Sequence, residues 1–470
     1  MAGSRAATRT GGRPATSGVI VGDFSLSVGI PNKPAPECWK WTALSEVARL
    51  ETGHTPSRRH PEYWDGDVPW IGIKDATENH GRTIHDTIQH TNKLGIANSS
   101  ARLLPENTVC LSRTASVGYV VVMGRPMATS QDFVNWVCLE RIDHRFLKYV
   151  LLAERSAFQR FASGTTHQTI YFPEVKAFHV CLPPLPEQRS IANILGALDD
   201  KIEIYGRMNE TLEAMARALF KSWFVDFDPV RANAKGSDLD SRISASNRFP
   251  SRLVDSELGA IPIGWRTTTV AEVCSSIFSG GTPSTRNSEY WDGDVPWLSS
   301  GETRSKFILD TERKITSLGV RNSSTRLAPS YSTVIASAGQ GNTRGQTSLL
   351  AFESYVNQSV VVLVHDPKTS SPLHLFFDLE RRYEEFRRIS DGHSSRGSLT
   401  TKLLASIPIV LPPIELIREF ERLVAPLVAR AVAGLRESRN LLALRDALLP
   451  KLVSGEIRVN NVERIVSQVV

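Results

Sequence analysis

Residues Thr55-Pro-Ser-Arg-Arg-His-Pro-Glu-Tyr-Trp-Asp-Gly-Asp-Val-Pro-Trp70 return as Thr282-Pro-Ser-Thr-Arg-Asn-Ser-Glu-Tyr-Trp-Asp-Gly-Asp-Val-Pro-Trp297, with thirteen of the sixteen positions identical. A match this long at an offset of 227 residues marks an internal repeat. The offset is nearly kept on either side. Trp39 and Glu46-Val47 correspond to Trp265 and Glu272-Val273, and Asn98-Ser-Ser with Arg102-Leu103 and Pro105 corresponds to Asn322-Ser-Ser with Arg326-Leu327 and Pro329. Further on, Gln131 matches Gln358, and Leu182-Pro-Pro184 matches Leu411-Pro-Pro413. Between these blocks the copies diverge, as in 72–80 against 299–306. A shared scaffold with unshared loops implies two related modules with different targets.

Each module contains short β-branched runs, at 108–111, 117–122 and 134–139 in the first copy and at 333–336 and 360–364 in the second, separated by Gly, Pro, Asn and Ser turns. This predicts β-rich α/β modules, with short helices over 146–161 and 373–389. After each Pro-Pro stop comes a long heptad pattern. In the first copy, Ile191, Leu195, Leu198, Ile202, Tyr205, Asn209, Leu212, Ala216, Leu219 and Trp223 alternate four-residue and three-residue steps, the mark of a helical seam. At 1.5 Å per residue, a helix over 187–224 is a rod of roughly 55 to 60 Å, which needs a partner. The second copy supplies one at an offset of 229, through Phe420, Val424, Leu427, Ala431, Gly434, Ser438, Leu441, Leu448 and Leu452. Pro426 lacks the amide for its helical bond and predicts a bend or restart there. Asn209 and Ser438 are polar seam positions that can fix register.

Each helix begins at a module, and the polar stretch 232–252 leads from the first helix to the second module. The simplest arrangement is therefore α/β (α+β): two β-rich modules joined by two long helices that form an antiparallel coiled coil, a pseudo-twofold internal duplication. The expected layout is a disordered tail over 1–35, a module over 36–182, a helix over 183–230 and a linker over 231–257. The second module then covers 258–410, its helix 411–454, and a tail 455–470.

A chain of 470 residues is too long for one compact core, and 41% hydrophobic with 22% charged residues is an ordinary globular composition. Lys+Arg 55 against Asp+Glu 49 leaves +6, which allows a polyanionic partner without identifying one. The five cysteines are scattered with no Cys-x-x-Cys pair, which argues against a disulfide framework or a structural zinc site and fits a reducing cytoplasm. No apolar run approaches the ~18 residues of a spanning helix, so a soluble protein with no membrane partner is expected. The opening residues 1–18 carry Arg5, Arg9 and Arg13 but no apolar core segment, and read as a tail rather than a signal peptide.

The order of parts resembles the DNA specificity subunits of Type I restriction-modification systems. The resemblance is carried by Leu182-Pro-Pro-Leu-Pro-Glu-Gln-Arg-Ser-Ile191 and Leu411-Pro-Pro-Ile-Glu415 at the helix starts, by Ser279-Gly-Gly-Thr-Pro-Ser284, by the duplicated Tyr-Trp-Asp-Gly-Asp-Val-Pro-Trp, and by Leu258-Gly-Ala-Ile-Pro-Ile-Gly-Trp265. The first module departs from the pattern with Gly53-His54 where the family favours Gly-Gly, and the second helix lacks the Pro-Glu-Gln form. The resemblance implies that each module is a target-recognition domain reading one half of a bipartite site in double-stranded DNA. It implies that the helices fix the spacer and dock two methyltransferase subunits, and that restriction subunits with translocase and nuclease activity complete the complex. On this reading the chain is not itself an enzyme: its partners carry adenine-N6 methyltransferase and ATP-dependent endonuclease activity. Two other classes compete: the recognition module of a fused restriction-methylation enzyme, and a structural coiled-coil adaptor.

The residues agree with a non-catalytic reading. There is no Asn/Asp-Pro-Pro-aromatic tetrapeptide, no Gly-x-Gly-x-x-Gly turn, no Gly-Lys-Ser/Thr phosphate loop and no His-Glu-x-x-His. Glu174-Val-Lys176 echoes a nuclease Glu-x-Lys, but the second copy has Leu403 and Ala405 there. His80, His85 and His90 recur every five residues, which puts them on no common helical face, so no metal and no cofactor is expected. Base reading calls for Arg or Lys toward guanine and Asn or Gln toward adenine, with hydroxyl and basic groups on phosphates. Loops after predicted strands offer Lys74, Arg113, Ser130, Gln131, Thr166, His167 and Gln168 in the first module. In the second they offer Arg304, Gln340, Asn342, Arg344, Asn357, Gln358, Ser395 and Arg396. Gln131 and Gln358 recur in both copies, which favours a shared framework or phosphate role, and the pairs Trp64/Trp70 and Trp291/Trp297 read as packing anchors.

Overall fold

The structure, a computed structural model, describes residues 18–163, 168–235, 248–339, 341–393 and 398–459. It divides into two compact units, Met1–Glu203 with Arg439–Val470, and Ile204–Ser438. Each unit therefore takes in a stretch of both long helices.

In the first unit a five-stranded sheet runs in the order Ala48–Thr52, Phe133–Cys138, Val109–Ser112, Val120–Met123, Thr83–Ile84. Val109–Ser112 and Val120–Met123 are buried throughout, which is why they read in the sequence as continuous apolar runs rather than alternations. Helix His144–Ala153 packs on this sheet and is capped by Asp143, whose carboxylate accepts from the Arg145 and Phe146 amides at 2.9 and 3.3 Å. The single helix expected over 146–161 is instead two, His144–Ala153 and Ala157–Phe161.

The break between them falls at Glu154, which is fully buried. Its carboxylate accepts from the backbone N–H groups of Asp23, Phe24, Ser25 and Leu26 at 2.6, 2.7, 2.7 and 3.1 Å. Burial raises this carboxyl above the ordinary range, and the four donors pull it back. The expected disordered tail over 1–35 is corrected accordingly: Ile20–Val21 and Leu26–Val28 are strands in a four-stranded sheet with Phe178–Leu182 and Lys40–Ala43. Residues 1–17 of that tail lie outside the described residues. The tail expected over 455–470 also packs where it is described, with Arg458 donating to Glu187 Oε1 and to the Glu37 carbonyl, both at 2.9 Å, and Val459 buried.

In the second unit a five-stranded sheet repeats the order of the first: Cys274–Ser279, Val360–His365, Thr333–Ala336, Thr347–Leu350, Phe307–Ile308. The helix expected over 373–389 divides into Pro372–Glu380 and Tyr383–His393, parted at Arg381 and Arg382, whose guanidiniums bond Asp378 at 2.8 and 2.9 Å. The expected linker 231–257 is largely structured where described. Helix Asp228–Ala234 opens it, and strand Leu253–Ser256 pairs with Gly259–Pro262 across its expected end. Phe249 between them joins an aromatic core with Phe220, Trp223, Phe224, Trp265 and Phe420.

The first long helix is Leu185–Phe224, with the end expected for the 187–224 rod; it stops short of 230 because Phe227 adopts a left-handed conformation that turns the chain into the next helix. The second is Ile414–Val453, with no restart at Pro426. Pro426 is exposed, so the carbonyl left without an amide can be solvated and the helix continues past it. The heptad positions form the buried stripe of each helix: Ile191, Leu195, Leu198, Asn209 and Ala216 are buried, as are Phe420, Val424, Leu441 and Leu448, while Ile202, Tyr205, Leu212, Leu219 and Leu427 are half-buried. Asn209 meets Gly434; a Cβ at Gly434 would lie 2.5 Å from its Oδ1.

The helix starts dock differently in the two units. Gln188 accepts from the Asp143 amide at 2.9 Å and donates to the Arg141 and Pro183 carbonyls, while Glu187 accepts from the Trp39 indole at 3.1 Å. At the corresponding positions the second copy has buried Ile417 and Leu416. Trp265, the counterpart of Trp39, accordingly has a buried indole N–H with no acceptor among the described residues.

His374 lies in the aromatic core, its ring 4.9 Å from Phe224 and 5.7 Å from Phe220. Burial pushes its imidazole down to about 4, with Asp378 opposing and Arg381 adding to the shift. The unfolded chain titrates first, near 6.5, so this contribution to stability is intact above that pH and is lost as pH falls toward 4. Wild-type protein is expected to lose about 2 kcal/mol more than His374→Leu between pH 7 and pH 5. Urea unfolding at the two pH values checks this, and parallel losses would refute it.

Candidate nucleic-acid interface

The repeated Trp-Asp-Gly-Asp-Val-Pro-Trp sequence forms a strand with a bulge in it. In Trp64–Ile71 both Trp64 and Val68 lie opposite Thr91, and in Trp291–Leu298 both Trp291 and Val295 lie opposite Ile315. Asp65 and Asp292 take left-handed φ values of 56° and 58° to make the turn. The bulge brings the two indoles edge to face, 5.2 Å apart in the first module and 5.1 Å in the second. Their N–H groups then sew the bulge to the Thr-Pro-Ser turn. Trp70 donates to the His54 carbonyl at 3.1 Å and Trp297 to the Gly281 carbonyl at 3.2 Å, while Trp64 and Trp291 donate to Ser57 and Ser284.

Parallel pairing extends this framework to the glutamine loops. Trp70 and Ile71 pair with Ala128 and Thr129, which brings Ser130 and Gln131 alongside; Trp297 and Leu298 pair with Tyr355 and Val356, which brings Asn357 and Gln358. In both modules the glutamine Oε1 accepts from the threonine that opens the turn, Thr55 in one and Thr282 in the other, the latter at 2.6 Å. The two copies thus build the same ledge from the same atoms.

The remaining candidates distribute around it. Lys74, on helix Ile73–Glu78, and Arg304, at the end of Ser300–Arg304, are exposed in the segment that follows the second tryptophan of each module. Lys74 lies 3.8 Å from Glu78. Ser130 is buried and donates to Asp132 at 2.9 Å; Asn357 is buried and accepts from the Ser359 amide at 2.9 Å. Arg113 is half-buried, stacked on Phe172 at 4.6 Å, and donates to the Gln131 carbonyl at 3.1 Å, so it braces the glutamine loop. Burial lowers its guanidinium below the usual range.

Gln168 is exposed with its carbonyl accepting from Ala115 at 3.2 Å. Asn342 is exposed and its carbonyl accepts from the Tyr383 hydroxyl, while Arg344 pairs with Asp391. Thr166, His167, Gln340, Ser395 and Arg396 lie outside the described residues.

Two arginines were not among the candidates. The Arg58 guanidinium lies 3.7 Å from the Trp64 ring centre and 5.2 Å from Trp70; that of Arg313 lies 3.7 Å from Trp291 and 5.9 Å from Trp297. The repeat conceals them, because position 58 corresponds to Thr285 and Arg313 to Gln89. Of the three histidines, His80 accepts from the Val120 amide at 3.1 Å and His90 pairs with Asp86 at 2.7 Å, and among the described residues no group of side chains is arranged to hold a metal ion. No helix among them is long and apolar enough to cross a membrane.

Comparison with known proteins bears on both modules. The family described as Type I restriction modification DNA specificity domain matches residues 36–214 and again 262–416. The Type I restriction enzyme MjaIX specificity subunit of Methanocaldococcus jannaschii is 25% identical over 433 residues, covering 90% of this chain and 94% of that protein. The HindI specificity subunit of Haemophilus influenzae is 28% identical over 336 residues, covering 63% and 72%. Among solved structures, the S subunit of a Type I restriction-modification system from M. genitalium shares the fold, with a TM-score of 0.59 at 16% identity over 89% of this chain and 97% of that one.

Proposed function

The chain belongs to the Type I restriction modification DNA specificity family, and from that premise we propose that it is the DNA-binding specificity subunit of a Type I restriction-modification complex. Each module, 36–182 and 258–410, reads one half of a bipartite duplex site. The observation that carries this is the duplication itself: one framework written twice, with a shared Trp-bulge ledge and divergent loops, suits two different half-sequences read by the same means.

The two long helices pair antiparallel and hold the halves a fixed distance apart, which turns a spacing into a specificity. Contacts inside each unit support the pairing. In one, Asp199 in the first half of the first helix accepts from Arg445 in the second half of the second at 3.0 Å; in the other, Asn209 meets Gly434. The helices also dock two methyltransferase subunits, and translocase and nuclease subunits join them. The chain itself acts in the cytoplasm without cofactor or metal, and base contacts come from the loop candidates around each ledge.

Mapping methylated adenines genome-wide, with and without this chain, tests the proposal: one split motif should disappear when the chain is absent. Exchanging 53–181 for the corresponding part of a relative should then change one half of that motif and leave the other. A methylation pattern indifferent to the chain, or an exchange that alters both halves, would overturn independent reading by two modules.

A further inference from the structure

The two modules present an exposed arginine at the same point of the ledge, yet they supply it from different elements. In the first module Arg58 comes from the Thr-Pro-Ser turn, stacks on Trp64, and donates to Gln89 Oε1 at 2.7 Å. Gln89 sits on strand Gln89–Thr91, directly opposite Trp70. In the second module the residue opposite Trp297 is Arg313, which itself stacks on Trp291, while the turn position is Thr285. The guanidinium-to-ring distance is 3.7 Å in both. A local packing need would be met by the aligned residue; here the aligned residues have changed and only the cation over the tryptophan has stayed.

Several arginines near the module surfaces are ion-paired internally, as Arg102 is with Glu51, Arg125 with Asp86 and Arg344 with Asp391. Arg58 and Arg313 have no ion-pair partner among the described residues; the bulge carboxylates Asp65, Asp67, Asp292 and Asp294 form none with them. A guanidinium has five donors, and stacking against an indole fixes its direction while leaving edge donors for a further acceptor, even where Arg58 gives one to Gln89. That is a preorganised, uncompensated, planar donor set facing solvent, the chemistry suited to an oxyanion of a polyphosphate backbone.

We infer that Arg58 and Arg313 are equivalent phosphate anchors, each holding the DNA backbone against its module's tryptophan ledge whatever the base sequence. The inference rests on the DNA-binding reading above. If the modules read different half-sites, then a feature common to both belongs to sequence-independent contact, since phosphates position and bases specify.

The test is titration of the full-length chain, by fluorescence anisotropy over a salt series, against a duplex containing the mapped motif and a scrambled duplex. Arg58→Gln and Arg313→Gln should each weaken both duplexes by the same factor, on the order of tenfold, and each should lower the slope of log affinity against log salt by about one. Arg58→Lys and Arg313→Lys should keep the wild-type slope, because the charge remains. Unchanged affinity in the Gln variants would overturn the inference. So would a loss confined to the motif duplex, which would make the arginines base readers, or equal losses in Gln and Lys variants with a lowered melting point, which would make them framework. Wild-type protein that bound neither duplex would instead remove the DNA-binding reading, and this inference with it.

Discussion

Glu154→Ala is expected to destabilise the first unit by about 4 kcal/mol, since two deeply buried backbone donors, at Ser25 and Leu26, and two partly buried ones, at Asp23 and Phe24, lose a charged acceptor at once. The loss should be concentrated in the segment that this carboxylate holds. Without it nothing replaces the four bonds, because Leu26–Val28 is already committed to its strand neighbours on either side. Hydrogen exchange at Asp23–Leu26 should accelerate by orders of magnitude, and a protease should release the N-terminal segment before the rest unfolds. Glu154→Gln keeps one acceptor oxygen but no charge and should fall in between. Unaltered exchange at these four amides in Glu154→Ala would show that the segment is held by its strand pairing alone.

Gly280→Ala and Gly53→Ala should be comparably damaging, each by on the order of 3 kcal/mol, although alanine is the mildest possible change. A Cβ at Gly53 would lie 1.9 Å from the Ser130 carbonyl oxygen, and one at Gly280 would lie 1.9 Å from the Val356 carbonyl oxygen. Neither glycine has a left-handed φ, so the requirement is space and not dihedral freedom. The obstructing atoms are backbone, at Val356 in one of the strands whose parallel pairing brings Gln131 and Gln358 beside the tryptophans and at Ser130 immediately after the other, and they cannot swing aside as a side chain would. Gly301→Ala is the control: its nearest neighbour would be Ser299 Oγ at 3.9 Å, and it should unfold as wild type does. Urea midpoints of the three variants decide the matter; Gly280→Ala unfolding together with Gly301→Ala would mean that the strands can part without cost. Because the ledge is where DNA is proposed to lie, the two damaging variants should also lose binding in the altered module.

Much of what surrounds the duplicated stretch is readable from residue order alone, though the place of Arg58 over Trp64 is not. The strands expected at 333–336 and 360–364 are those observed, at Thr333–Ala336 and Val360–His365, because a strand buried on both faces announces itself as an apolar run. The heptad stripe is likewise the buried stripe, since a period of 3.5 selects one face of a helix wherever that helix lies. The tryptophan pairs anchor packing as expected, the Asp-Gly step between them being a turn signal in its own right.

Other features depend on residues distant in the chain. Residues 18–35 read as tail because Leu26-Ser-Val28 is too short to announce a strand; they are ordered by a glutamate some 130 positions away. Breaks in the helices after Ala153 and after Glu380 depend on what Glu154 and Asp378 bind, which no helical periodicity carries. The persistence of the second long helix through Pro426 depends on that residue facing solvent.

The sequence by itself therefore determined that this protein has two copies of one β-rich module, each followed by a long helix with one apolar stripe, because repetition and periodicity are properties of the chain's order. Only the tertiary structure decided which donor meets which acceptor. It showed that Glu154 orders the N-terminal strands, that Gln188 docks one helix start where Ile417 docks the other, and that Arg58 and Arg313 arrive on equivalent tryptophans from unaligned positions. The physical reason is the same in each case: burial can be met by any apolar side chain and so leaves a pattern, whereas a charge or hydrogen bond is satisfied only by particular partners brought near by the fold.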